Sequence, residues 1–217
     1  MSSRTETSRA ARSPRASWAG APDSGISVGA RLRERRGRLG LSLRELARRL
    51  EVSPSLVSQI ETGKIQPSVR TLYAIVNELG LSLDEIFDRL DTTGDGWPER
   101  GTAAPVQRRA DRSAIELESG VCWERLTAWN DKDIEFMEAI YEVGGASSSD
   151  GKLVRHSGRE FGLVLSGTLG VTVAFEEHVL QPGDSISFES TIPHRLHNDG
   201  DEVVHAIWVT LGRYHGE

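Results

Sequence analysis

Cysteine is almost missing from this 217-residue chain. Cys122 stands alone, so no intrachain disulfide can close and no thiolate zinc cluster can assemble. A reducing compartment suits such a composition. Long apolar runs are missing too: no stretch approaches the ~20 residues that a membrane span requires. The Arg-containing N-terminus also lacks the apolar core of a secretion signal. The expectation is a soluble, cytoplasmic protein with no membrane partner.

What charge there is divides unevenly. The net charge is -6, yet residues 1–90 hold 15 Lys and Arg against 10 Asp and Glu, and the remainder holds 11 against 22. A net +5 part tied to a net -11 part suits two small domains, with a nucleic-acid contact at one end only. Residues 1–25 are rich in Ser, Ala and Arg, with almost nothing large to bury except Trp18, and read as a disordered arm. Its Arg4, Arg9, Arg12 and Arg15 fit a solvated tail better than a phosphate clamp.

From Val28 to Leu90 apolar residues recur at spacings of three and four: Leu32, Leu43, Leu46, Leu50, Val57, Ile60, Leu72, Ile75, Val76, Leu79. That rhythm predicts about five short helices. Ser42, Ser53 (with Pro54 behind it), Ser68 and Ser82 stand at helix starts, and Glu85 completes a capping box with Ser82. Gly40, Gly63 and Gly80 fall where helices should stop. Arg31, Arg33, Arg35, Arg36 and Arg38 read mainly as a solvated face of the first helix. Residues 91–105, with Gly, Thr and Pro and no periodicity, read as a linker. Beyond it the period becomes two, as in Ile134, Phe136, Glu138, Ile140 and in Leu169, Val171, Val173, with turn signals between short strands. An antiparallel barrel or sandwich follows.

The segment Ser53–Lys64 carries the first functional signal. Val57 and Ile60 must face a core, which leaves Pro54, Ser55, Ser58 and Gln59 outward in the N-terminal half of the helix, where a recognition helix meets base edges. Gln59 offers both a donor and an acceptor, matching adenine in the major groove. Ser42 caps the helix before it, where free backbone N–H groups and Arg44 can hold a phosphate, and Lys64 is placed for a second phosphate clamp. With Leu43, Leu46, Ala47, Val52, Ser53, Val57, Ser58, Ile60, Glu61, Gly63, Pro67, Leu72 and Ile75 in register, this segment resembles the repressor-type helix-turn-helix family, the XRE family of phage Cro and repressor proteins. One departure is Glu51, where the family usually has glycine at a turn that calls for positive φ.

A second signal lies in the strand region. His156 and Glu160 stand four residues apart ahead of a strand and Gly167, and His194 follows Pro193 after Gly183. Together they resemble the two motifs of the cupin family, across Val106–Leu211. In that family the two motifs lie on adjacent strands and their polar residues converge, which would place His156, Glu160 and His194 on one cavity. Two histidines and a carboxylate with open positions opposite suit a divalent ion such as Fe, Zn, Ni or Mn; an organic ligand held by hydrogen bonds is the other reading. The cupin set has a further histidine where this chain has Val154, and Glu189 and Thr191 replace a common Pro and Gly. His197 and His205 match no ligand position.

The two resemblances imply an α+β, two-domain protein. An all-α five-helix head of repressor type spans residues 26–90, and an all-β cupin barrel (double-stranded β-helix, jelly-roll) spans 106–217. They also imply a transcriptional regulator of the XRE-cupin class. It would bind double-stranded DNA at a palindromic operator, sense a small-molecule effector and pair as a homodimer through the cupin domain. The alternative is a mononuclear iron cupin oxygenase or epoxidase resembling hydroxypropylphosphonate epoxidase.

Overall fold

The computed structural model describes residues 28–87, 105–129, 131, 133–148 and 150–212. The expected arm (1–25) lies outside the described residues, as does the expected linker (91–105) apart from Pro105. Five helices lie among the described residues: α1 (Val28–Arg38), α2 (Leu43–Arg49), α3 (Pro54–Glu61), α4 (Val69–Leu79) and α5 (Leu83–Phe87).

Side-chain caps set the starts of α2, α3 and α4. Ser42 Oγ accepts the Glu45 N–H, Ser53 Oγ the Leu56 N–H and Ser68 Oγ the Thr71 N–H, each satisfying a donor that the helix itself leaves open. The capping box at α5 is reciprocal: Glu85 N–H donates to Ser82 Oγ at 3.0 Å and Ser82 N–H to Glu85 Oε2 at 2.6 Å. Glu51 does adopt the left-handed conformation, φ 55°, so the α2–α3 turn keeps its geometry with a residue that carries a Cβ.

Leu32, Leu46, Val57, Ile60, Leu72, Ile75 and Leu79 meet in the helical core with at most 2% of their surface exposed. Gly29 allows α1 to cross α3 closely, since a Cβ there would stand 2.2 Å from the Ile60 carbonyl oxygen. Two arginines of α1 depart from the solvated face expected of them. Arg36 Nη2 donates to buried Glu61 at 2.9 Å and Nη1 to the Leu41 carbonyl at 2.7 Å, while Arg35 Nε donates to the Leu79 carbonyl at 3.0 Å. They tie α1 to α3 and α4 because a carboxylate and helix-end carbonyls there need donors.

The remainder is antiparallel β structure after a short 3-10 turn at Arg109–Asp111: β1 (Ala114–Leu117), β2 (Val121–Arg125), β3 (Ile134–Tyr141), β4 (Arg159–Ser166), β5 (Leu169–Val173), β6 (Glu176–Leu180), β7 (Ser185–Glu189), β8 (His194–His197) and β9 (Val204–Leu211). They form a six-stranded sheet ordered β1-β2-β3-β9-β4-β7 and a three-stranded sheet ordered β6-β5-β8. Burial alternates clearly in β4, β8 and β9, and its phase in the first part of β3 is instructive. Met137 and Ala139 point inward and are 2% exposed, whereas Phe136, a member of the apolar row read from sequence, points outward and is 37% exposed.

Candidate functional site

On α3, core residues Val57 and Ile60 occupy one side, and Pro54, Ser55 and Gln59 are exposed on the other with Ser58 half-buried. Ser42, Arg44, Ser53 and Lys64 are exposed as well. The Gln59 carbonyl accepts the Lys64 N–H at 2.9 Å, a bond that closes the helix end and fixes where the lysine leaves it. Of the side chains expected to meet DNA, Ser53, Pro54, Ser55, Ser58, Gln59 and Lys64 lie on α3 or the turns at its two ends, and Ser42 and Arg44 lie at the start of α2.

The second site is buried. The loop before β4 pairs with the approach to β8: Val154 and His194 exchange N–H···O bonds of 2.7 and 2.8 Å, and His156 N–H donates to the Ser190 carbonyl at 3.0 Å. Glu160 follows on β4, whose inward row is Glu160, Gly162 and Val164. These bonds bring one nitrogen of each histidine and a Glu160 oxygen within 4.8 Å of one another. His156 Nε2 lies 2.9 Å and His194 Nε2 3.2 Å from Glu160 Oε1. All three residues are at most 7% exposed.

The outer nitrogens set the protonation pattern. His156 Nδ1 faces the Ser157 carbonyl at 3.0 Å and His194 Nδ1 the Ile192 carbonyl at 2.9 Å. A carbonyl only accepts, so each Nδ1 carries a proton and each ring turns its Nε2 toward Glu160. Three acceptors converging on one point need a cation between them, either a proton on an imidazole or a metal ion. Backbone carbonyls behind the ligating histidines are the arrangement by which metal sites orient such rings. Ligand atoms each ~2.1 Å from one ion stand about 3 Å apart in octahedral placement and about 3.4 Å apart in tetrahedral placement, close to the 2.9 and 3.2 Å separations here. The residues present thus fit a divalent ion. Val154, where the cupin set has a further histidine, is an apolar wall of the same cavity.

Trp208 on β9 completes the surroundings, its indole N–H donating to Glu160 Oε2 at 2.7 Å. Gly162 makes this possible, because a Cβ there would meet the indole at 2.1 Å. Sequence reading missed both residues. The available signal was a glycine inside a strand, which often marks close approach by another group.

Residues 32–86 match the helix-turn-helix family, and residues 138–210 match the cupin domain family. Over 177 residues the chain is 30% identical to the HTH-type transcriptional regulator PuuR of Escherichia coli (strain K12), covering 81% of this chain and 90% of that one. The chain belongs to the helix-turn-helix transcriptional regulators that carry a cupin domain. An HTH_3 family transcriptional regulator from Vibrio cholerae shares the fold, with a TM-score of 0.60 at 21% identity over 88% of this chain and 99% of that one. Hydroxypropylphosphonic acid epoxidase from S. wedmorenis is matched over 86% of this chain and 97% of its own at 20% identity, but its TM-score of 0.45 is too low to bear on chemistry.

In this regulator the two domains touch at the buried trio. Tyr73 of α4 packs tilted against His156, ring centroids 4.8 Å apart, and against Trp123 at 5.4 Å. Glu118 N–H donates to the Pro67 carbonyl at 3.0 Å, Arg70 N–H to the Ser147 carbonyl at 3.3 Å, and the Arg70 side chain lies 3.7 Å from Asp150. Burial pushes the Glu160 carboxyl up, but the bond to His156, the charge of the histidines and the Trp208 donor outweigh it and hold it at about 2. Glu160 is accordingly a carboxylate, the charged partner that the convergent nitrogens require. His205 stands apart from the trio, its Nδ1 2.8 Å from Glu138 Oε1.

Proposed function

We propose that the regulator reads DNA with α3 and its flanking turns, and that the β domain senses a small molecule and pairs two copies. Gln59 and Ser55 meet base edges, while Ser58 and the exposed Ser53–Pro54 start of α3 seat the helix in the major groove. Ser42, Arg44 and Lys64 hold phosphates. The observation that carries this reading is the exposed polar surface of α3, opposite Val57 and Ile60. The head spans residues 26–90 and the sensor 106–217, whose two sheets close into a jelly-roll barrel, in a cytoplasmic protein.

His156, Glu160 and His194 hold one divalent ion, Fe, Zn, Ni or Mn, which would polarise a bound effector's oxygen or nitrogen atom. The protein's own part is to orient both imidazoles through backbone carbonyls and to keep Glu160 ionised. Homodimerisation uses the outer face of the six-stranded sheet. There Phe136 and Phe161 flank Val209 in register, Leu163 faces Ile207, and Phe161, Leu163 and Leu165 are 40–48% exposed. An apolar patch of this kind on one sheet face marks an interaction surface. Two copies would offer recognition helices to half-sites of a palindromic operator, ~34 Å apart.

Binding to the duplex upstream of the protein's own gene tests the reading. Gln59→Ala should cost about 1–3 kcal/mol and relax sequence preference. Lys64→Ala should weaken all sequences alike and lower the salt slope by about 0.9 per site. An intact chain that prefers no duplex over random competitor would sink the proposal. The two-histidine, one-carboxylate trio also suits a mononuclear iron oxygenase; oxygen-dependent turnover lost in His156→Ala, from a chain that binds no DNA, would select that alternative.

A further inference from the structure

We infer that the DNA-binding head itself forms a wall of the sensor cavity, and that Tyr73 and the effector compete for one space. Val69 and Tyr73 of α4 line this cavity together with Trp123, Ala139 and Leu196, above the His156–Glu160–His194 trio. The space left free is about 20 Å³, room for roughly one water or one bare ion. An organic molecule therefore enters only if the Tyr73 ring leaves. The ligand class follows from the lining: a small molecule with a flat apolar body to replace the phenol ring and a polar end to reach the trio. This deepens the sensor reading above and rests on it.

Tyr73 cannot leave alone. It is 7% exposed and wedged between the His156 and Trp123 rings. It sits on a helix whose Leu72, Ile75, Val76 and Leu79 are buried in the head core at 1% exposure or less. Packed cores shift as bodies rather than deform, so displacing Tyr73 carries α4 and the rest of the head with it. The Glu118–Pro67 and Arg70–Ser147 hydrogen bonds and the Arg70–Asp150 pair across the seam then break. An effector that binds only the released arrangement shifts the head away from the barrel, and by reciprocity releasing the head raises the cavity's affinity for it.

The test needs no effector. In the full-length protein, Ala139→Phe pushes a ring into the cavity from the sensor side, and Tyr73→Ala removes the ring that the head contributes. Amide hydrogen exchange is read at Arg70 and Glu118, whose N–H groups cross the seam, with Val57 and Ile60 of α3 as controls for an intact head. Each single variant should speed exchange at the two seam amides about tenfold or more while the controls hold. The double variant should return toward wild type, because the new ring takes the space Tyr73 vacates; contacting groups that compete are non-additive. Additive effects, or seam exchange unchanged in both single variants, would overturn the inference. Ala139→Leu, a smaller intrusion read in the same way, serves should Ala139→Phe prevent folding. Duplex binding on the same samples reports on the regulator reading separately: a chain that ignores DNA yet shows the non-additive pattern leaves the competition standing, and normal DNA binding with additive exchange removes the competition alone.

Discussion

Trp208 donates its indole N–H to Glu160 across 2.7 Å, over a strand position that Gly162 leaves without a side chain. The carboxylate is 4% exposed, so this donor has no water to replace it. Trp208→Phe keeps most of the ring and removes the donor. It should cost about 1–3 kcal/mol of stability, as an orphaned buried acceptor does, and lower affinity for a divalent ion by roughly 10–100-fold, as loss of an outer partner of a ligand does. Gly162→Ala should weaken metal binding with Trp208 still present, since the added Cβ forces the indole away. Calorimetric metal titration and urea unfolding of both variants check this; unchanged affinity in both would remove Trp208 from the site.

Arg36 and Glu61 form a largely buried ion pair, their side chains 13% and 4% exposed. Arg36→Ala leaves the carboxylate unpaired inside the head and should destabilise it by about 3–5 kcal/mol. Replacing both partners, Arg36→Met with Glu61→Leu, should recover much of that loss, because no charge is then left to desolvate. Denaturation midpoints followed by far-UV circular dichroism give both numbers. An additive double variant would mean the pair is not coupled.

How far these features could be read beforehand depends on distance along the chain. The helix starts were legible because a cap and the N–H it accepts lie three residues apart, as at Ser42 and Glu45. The convergence of His156, Glu160 and His194 was legible because the resemblance supplied the motifs. Periodicity alone would have left three unrelated side chains. The Arg36–Glu61 bond joins residues whose separation carries no local signal, and α1 alone looks like a solvated basic face. Tyr73 is the most telling omission. Val69 and Tyr73, four residues apart, sit at the edge of an apolar face already accounted for by Leu72, Ile75, Val76 and Leu79, so nothing in the helix pattern distinguishes a second contact surface from more core.

A pH dependence follows from Glu138. Burial pushes its carboxyl up, but bonds from His205 and Arg112 outweigh it and hold it below the usual carboxylate range. A group lowered on folding stabilises fully above its unfolded pKa, ~4.3 for glutamate, and that contribution is lost as pH falls from there through the folded value. Glu138→Gln should therefore flatten the loss of stability below about pH 5 and change little of its slope at neutral pH. Urea midpoints across that range decide it; an acid limb as steep as that of wild type would exclude Glu138 as a contributor.

The outer sheet face makes the strongest demand on the proposed assembly. Phe161 and Phe136 are partly exposed, at 40% and 37%, on either side of Val209, and water gains nothing from such a row unless something covers it. If a second copy does, a charge at its centre must be desolvated on pairing. Phe161→Asp should then weaken the dimer by about 2 kcal/mol or more, roughly 30-fold in Kd. Val179 is more exposed still, at 67%, but lies on β6 of the other sheet; Val179→Asp should leave association unchanged. Sedimentation equilibrium separates the two variants. The effect should carry through to DNA, because a single head gives up the second half-site and with it the gain in effective concentration that linked binding provides. A Phe161→Asp chain that stays dimeric and keeps full operator affinity would place the pairing surface elsewhere on the molecule.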